Sequence, residues 1–232
     1  MAMEPHAKII NAVAKKALAP HGFFRKGSSR IWLQDNGWYL TMVEFQPSGF
    51  SKGTYLNVAM HFLWGVPLSE GAHVLSLDYG DRVMPPDVPT QFISYTGDDA
   101  LFTHQVEMMA NAAVRIAAEY KRCVDLDYAR KLICAGEPIT AGWYEYNRAM
   151  LCFLAGDVQE GLRHIQHFSA ARQNWNWYWE SGLWKICEQE IRERCNTPEA
   201  ARKFVIEKIQ ANRAQMLTQA SYKGLRKEPY NG

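Results

Sequence analysis

The sequence predicts an α+β protein, in which a small antiparallel sheet with flanking helices is followed by an α-helical C-terminal half. Three observations lead to this prediction. An Asn-Gly pair separates two β-rich runs at residues 29–34 and 38–46, apolar and polar residues alternate along 54–64, and helical periodicity dominates from residue 98 onward. The 232 residues, 47% of them hydrophobic and 22% charged, are enough for one large domain or two small ones.

The N-terminal half begins with a predicted helix over residues 4–19, which ends at Pro20-His21-Gly22. A strand follows, and Asn36-Gly37 then predicts a tight hairpin turn, because both turn positions need positive φ. The third strand carries Leu56 and Val58 on one face and Asn57 on the other, which indicates one buried and one more polar face. Two further short strands are predicted near 74–79 and 92–95.

The C-terminal half is predicted to be helical. The helices are placed at about 100–123, 125–134, 141–155, 157–171, 174–194 and 198–219, with turns at Gly156-Asp157 and at Thr197-Pro198. We therefore expect a sheet domain over residues 1–124 and a helical subdomain over residues 125–232, packed on it. The tail after Gly224 is expected to be frayed.

Composition excludes several classes of function. The net charge is only +2 and no segment is strongly basic, so no nucleic-acid partner is expected. No run of 18 apolar residues occurs and the N-terminus lacks the apolar stretch of a signal peptide, so we expect no membrane contact and a cytoplasmic location. The five cysteines form no C-x-x-C pair, which favours buried free thiols in a reducing compartment; no cofactor is indicated.

The N-terminal part resembles a known family. A Gly-Phe-Phe-Arg-Lys turn at 22–26, the strand 43–48 ending in Gln-Pro-Ser, and the strand 55–59 with an Asn amid apolar residues carry the resemblance. Over residues 8–64, and more loosely to about 125, the chain is similar to a bacterial family known only as domain of unknown function 4304. The resemblance implies a fold and the polar residues Gln46, Ser48 and Asn57, but no activity.

Residues 143–157 resemble half of a tetratricopeptide-type helical hairpin, with a Trp, small residues and a Gly-Asp turn at the expected offsets. No second copy follows at the spacing of such repeats, and stacked repeats normally need about three. The resemblance therefore predicts a helix pair and not a repeat array.

Polar side chains gather on one part of the predicted sheet. Asn57 and His61 project from the polar face of the third strand, Gln46 and Glu44 lie on the neighbouring strand, and Arg30 reaches from the first. A carboxylate, an imidazole and amides on one sheet face suit either a ligand-binding patch or a general acid/base site. The alternative is that helices cover this face and that the groups hydrogen-bond internally.

One predicted helix carries a weak metal-binding pattern. Glu160, His164 and His167 are spaced so that they share one face, which could contact a single ion. The apolar residues of that helix centre on the opposite side, so we expect the three side chains to face solvent unless another helix covers them. No resident metal is predicted.

Tryptophans concentrate between residues 175 and 184. Trp177 and Trp184 lie seven residues apart on one face, nearly opposite Trp175 and Trp179. A helix with aromatic residues on both sides is either buried between layers or exposes apolar area to a partner. Trp177 and Trp184 are accordingly candidates for a protein interface or for self-association.

These patterns favour a non-enzymatic binding or adaptor protein, with an immunity-like role as one form of it, acting through the aromatic helix or the polar sheet face. The alternative is an enzyme that acts on a small molecule with His61 and Glu44. An enzyme needs a pocket around those two residues, whereas a binder needs an exposed patch.

Overall fold

The structure is a computed structural model that describes residues 4–65, 75–84, 90–138, 143–172 and 178–232, without the side chains of 171, 172, 178–184 and 186. It confirms the α+β class, since the described strands lie between Phe24 and Ser94 and a series of helices follows from Asp99 to Leu217. Among the described residues, no helix combines the length and the apolar character that crossing a membrane requires.

The chain forms two compact units, each of which is discontinuous in sequence. The first consists of Met1–His61, Leu75–Lys121 and Met216–Lys227. The second consists of Phe62–Val74, Arg122–Gln215 and Glu228–Gly232. The predicted packing of the helical part on the sheet stays a prediction.

The described residues of the first unit form a sheet and the two α-helices α1 and α2. Pro5 is the first residue of helix α1, a position at which the missing N–H removes no helical hydrogen bond. Gly22, with a φ of 82°, ends the short 3₁₀ turn that follows the helix. The elements are α1 (Pro5–Leu18), β1 (Phe24–Arg25), β2 (Ile31–Asp35), β3 (Tyr39–Gln46), β4 (Gly53–Phe62), β5 (Tyr79–Val83), β6 (Phe92–Ser94) and α2 (Asp99–Lys121).

The sheet has the strand order β1-β2-β3-β4-β5, and β6 pairs with the first residues of β4. The pairs β1–β2, β2–β3, β4–β5 and β4–β6 are all antiparallel. The stretch before Pro85 thus contains a strand, although it begins at Tyr79 rather than near residue 74.

The β2–β3 hairpin exists, but its turn is one residue later than predicted. Asn36 donates its backbone N–H to the carbonyl of Tyr39 at 3.1 Å, so Gly37 and Trp38 form the two-residue loop. Gly37 has a φ of 93° and no described residue other than glycine has positive φ, so only the first loop position is left-handed. This excludes the expected Asn-Gly turn, which needs positive φ at both of its central positions.

One face of the sheet packs against both helices of the unit and makes the hydrophobic core. Alternate strand residues enter this core, and α1 and α2 contribute one apolar face each. The strand contribution is Trp32, Val43, Phe45, Leu56, Val58 and Ile93.

The segment 216–227 belongs to the first unit, and its end is not frayed as expected. Tyr222 and Leu225 are buried, and the backbone N–H of Arg226 donates to the Asp35 carboxylate at 3.0 Å. The Cα of Gly224 lies against the Phe24 ring so closely that a Cβ would overlap it. The sheet face opposite the core therefore receives this segment near β1 and β2.

The second unit contains the helices α3 (Leu126–Ile133), α4 (Tyr144–Leu154), α5 (Val158–Arg172), α6 (Tyr178–Arg194) and most of α7 (Pro198–Leu217). Side chains cap the first turns of three of these helices: Asp125, Asp157 and Thr197 accept backbone N–H groups at the starts of α3, α5 and α7. Gly156, with a φ of 84°, makes the tight turn between α4 and α5 that the sequence predicts.

Candidate functional site

Three of the predicted sheet residues come together. The Asn57 amide donates to Glu44 Oε2 at 2.8 Å and to Gln46 Oε1 at 3.0 Å. Arg82 of β5, which is paired with Asn57 in the sheet, donates to Asn57 Oδ1 at 3.4 Å and to Gln46 Oε1 at 2.7 Å. Its guanidinium also lies 4.0 Å over the ring of Tyr55. We call Glu44, Gln46, Tyr55, Asn57 and Arg82 the polar strand patch.

The patch keeps binding capacity that it does not use internally. Asn57 is buried, whereas the other four side chains are half-buried. Among the described residues, Glu44 Oε1, Gln46 Nε2 and Arg82 Nη1 make no hydrogen bond. One carboxylate acceptor, one amide donor and one guanidinium donor are thus held in place by bonds to their other atoms.

Arg30 does not join this patch. Its backbone carbonyl accepts from the N–H of Phe45, so the two residues are cross-strand neighbours and share a face. Phe45 is part of the core beneath α1 and α2, on the opposite face from Asn57. The Arg30 guanidinium accordingly donates to Gly53 O at 3.3 Å and contacts His6 Nε2 of α1 at 3.3 Å. Its predicted place beside the amides is wrong.

His61 shares the face of Asn57 but lies four residues further along β4, about 13 Å away at the usual rise of a strand. It is 2% exposed. Its Nδ1 lies 3.1 Å from Ser76 Oγ, 3.2 Å from the Ser76 backbone N and 3.2 Å from Asp78 Oδ2. The imidazole ties the chain before β5 to β4 and is not part of the patch.

The side chains of the two aromatic candidates lie outside the described residues. Trp177 lies outside the described residues, and Trp184 lies in α6 but its side chain is outside them as well. The predicted interface or self-association through these two tryptophans stays a prediction.

The three residues of the predicted metal triad contact different groups. His164 is only 3% exposed, because α4 covers its face of α5, so the expected solvent-facing position is wrong for this residue. Glu160 Oε1 lies 3.5 Å from His164 Nε2 and is paired with Arg163. His167 is directed to another group, with Nδ1 at 3.7 Å from Glu145 Oε2.

Three residues that the sequence analysis did not single out surround His164. Glu145 Oε2 lies 2.7 Å from His164 Nδ1, and the sulfur atoms of Cys134 and Cys152 lie 4.0 Å apart. One ligand atom each from Cys134, Cys152 and His164 all lie within 4.8 Å of one another, and the same holds for Glu145, His164 and His167. We call Cys134, Cys152 and His164 the thiol–imidazole cluster.

Electrostatics distinguish the members of the thiol–imidazole cluster. The hydrogen bond with Cys152, together with the charges of Arg148 and Arg130, lowers the pKa of Cys134. The same hydrogen bond and burial raise the pKa of Cys152. Burial lowers the pKa of His164, but its interactions with Cys152 and Glu145 outweigh burial and raise it. Cys134 is therefore the more easily ionised thiol.

Comparison of the chain with models of protein families, with curated proteins and with solved structures finds no match. The resemblances to domain of unknown function 4304 and to a tetratricopeptide hairpin therefore stay predictions. The function has to be inferred from the two groups of side chains described above.

Proposed function

We propose that this protein is a non-enzymatic binding protein, and that it recognises a partner protein with the polar strand patch. The observation that carries the proposal is the fixed position of Arg82, whose half-buried guanidinium has two hydrogen-bonded neighbours and an aromatic ring beneath it. An arginine held in this way loses little side-chain entropy when a partner binds.

The chemistry of the patch suits a protein surface. Arginine and tyrosine are enriched at the energetically important positions of interfaces, and the patch places Arg82 on Tyr55. The unused groups are one acceptor on Glu44 and donors on Gln46 and Arg82. Such a set can bind backbone amides and a carboxylate of a partner segment lying along the strands.

The enzyme alternative has less support. His61, the imidazole on which it depends, is buried and held by Ser76 and Asp78, apart from Glu44. A catalytic base has to reach the proton that it removes. The free cysteines fit a reducing compartment and thus the proposed cytoplasmic location.

The test is an affinity capture from lysate of the source organism with wild type, Arg82→Ala and Arg25→Ala. Arg25 is the matched control, because it is another half-buried arginine of the sheet. Within the described part of the chain, its guanidinium bonds only to the nearby carbonyls of Ser28 and Ser29. All three proteins are first compared by thermal unfolding. We expect one protein to be retained by wild type and Arg25→Ala and lost by Arg82→Ala.

The captured protein is then titrated with each purified variant. A loss of about tenfold or more in affinity for Arg82→Ala, with little change for Arg25→Ala, is expected of a central interface arginine. Equal binding by the two variants, or no specific partner for wild type, would overturn the proposal.

A further inference from the structure

We propose that Cys134, Cys152 and His164 of the second unit bind one zinc ion, with a fourth position at the cavity beside Glu160. This inference is independent of the proposed function, which concerns the first unit. The three residues come from the end of α3, from α4 and from α5. Two sulfur atoms and one imidazole nitrogen form a ligand set that binds zinc in preference to harder cations.

The spacing of the sulfur atoms fits a shared metal. Two thiolates bound tetrahedrally to zinc at about 2.3 Å are about 3.8 Å apart, and the sulfurs of Cys134 and Cys152 are 4.0 Å apart. A disulfide needs about 2.05 Å between them and would require the two helices to approach further. Both cysteines are free in the structure.

The orientation of His164 is already that of a metal ligand. Its Nδ1 donates to Glu145 Oε2 at 2.7 Å, and Glu145 Oε1 is in turn held by Arg148 Nη1 at 2.8 Å. The other nitrogen, Nε2, is buried and has no hydrogen-bond partner among the described residues. A carboxylate on one imidazole nitrogen fixes the tautomer that leaves the other nitrogen free for a metal.

The same bonds disfavour the second group of side chains around His164. A metal held by Glu145, His164 and His167 would compete for the Nδ1 and the carboxylate that already bond to each other and to Arg148. Only the thiol–imidazole cluster leaves the His164–Glu145 bond intact.

A cavity connects the proposed zinc position with solvent. An open cavity of about 340 Å³ is lined by Cys134, Cys152 and Glu160, so an ion can enter and a fourth ligand can reach it. Glu160 Oε1, at 3.5 Å from His164 Nε2, or a water from the cavity can take that position. Arg130 and Lys131 line the same cavity, where their charges offset those of Asp127 and Glu160.

The experiment measures zinc in protein purified under reducing conditions, by elemental mass spectrometry, and then replaces it with cobalt. Wild type is expected to hold one equivalent of zinc and, with cobalt, to show thiolate-to-cobalt charge transfer and the visible bands of a tetrahedral ion. Cys134→Ser, Cys152→Ser and His164→Gln are expected to lower zinc affinity by at least about 100-fold, the most that losing a supporting group alone costs.

Two controls keep the test independent of folding. Cys187→Ser removes another buried thiol and His167→Gln the neighbouring imidazole, and both are expected to keep one equivalent of zinc. In wild type, zinc should protect Cys134 and Cys152 from alkylation but leave the alkylation of Cys187 unchanged. Absence of cobalt charge transfer, metal binding that survives loss of both thiols, or a Cys134–Cys152 disulfide without bound metal would each overturn the proposal.

Discussion

Arg148 is the residue whose loss we expect to damage the second unit most. It lies on α4 and is 5% exposed. Its guanidinium donates to the carbonyls of Ile133 at 3.0 Å, Ala135 at 2.9 Å and Glu137 at 3.0 Å, all at or beyond the end of α3. It also donates to the buried carboxylate of Glu145 at 2.8 Å. The change to test is Arg148→Met, which keeps most of the side-chain volume and removes every donor.

The expected loss in free energy of unfolding follows from the groups that stay buried after Arg148 is removed. Removing one partner of a buried ion pair costs about 3–5 kcal/mol, because the other charge stays buried without compensation. Three carbonyls also lose a charged donor, at about 1–3 kcal/mol for each that water cannot reach. These contributions share one group and are not additive, so we expect a total of about 3–5 kcal/mol. Arg148→Lys keeps the charge but not the fork of donors, and should cost about 2 kcal/mol.

The assay is urea unfolding of metal-free protein, combined with hydrogen exchange of the amides of α4, so that the second unit is followed separately. The melting temperature should fall by roughly 6–20 °C, at about 2–4 °C per kcal/mol. The double variant Glu145→Gln/Arg148→Met should lose less free energy of unfolding than the two single variants together, since it no longer buries the unpaired charge of Glu145. A cost below about 1 kcal/mol for Arg148→Met, or additive losses, would refute this reasoning.

Two further predictions concern packing and pH. Gly161→Ala places a Cβ 2.5 Å from Cδ1 and 2.8 Å from Cζ of the buried Phe153. We therefore expect the free energy of unfolding in urea to fall by about 1–2 kcal/mol, despite the better helix propensity of alanine. Adding Phe153→Leu should restore part of this loss, and a Gly161→Ala variant more stable than wild type would contradict the prediction. Burial, and then the charge of Arg30, lowers the pKa of His6. Because the unfolded chain binds that proton more readily, stability is fully present above about pH 6.5 and falls as the pH decreases below it; His6→Gln should flatten this decrease, and an unchanged slope would show that His6 is not its cause.

The sequence predicts the parts of the fold that local patterns determine. The α+β class, the alternation along β4 and the turn at Gly156 follow from periodicity and from the need for glycine at positive φ. The hairpin turn is displaced by one residue, because Asn36 continues the strand pairing and only Gly37 takes a positive φ there. Local patterns cannot distinguish these two turns when either places apolar residues on the same strand faces.

The candidate sites depend on pairings that sequence spacing does not contain. Glu44, Gln46 and Asn57 are found together because two long strands carry them, whereas Arg82 comes from a short strand with little alternation. Arg30 is misplaced because one residue along a strand reverses the face. Recognising these positions requires the register of the sheet.

The burial of His164 in α5 also does not follow from the sequence pattern. Its polar face is predicted to meet solvent, but a polar face can be buried when its charges are paired, as Glu145 and Arg148 pair in α4. Cys134, Cys152 and His164 lie 18 and 12 positions apart along the chain, so no short motif announces them. Only the packing of three helices brings them together.

The discontinuous first unit has a consequence for synthesis of the protein. Arg226 and Asp35, which bond across the sheet unit, are 191 positions apart, and residues 122–215 belong to the other unit. At the usual rate of translation, roughly 5–20 s pass between the emergence of α2 and that of residues 216–227. During this time the nascent sheet exposes the face around Phe24 to chaperones, and residues 122–215, the largest part of the helical unit, emerge before the sheet unit is complete.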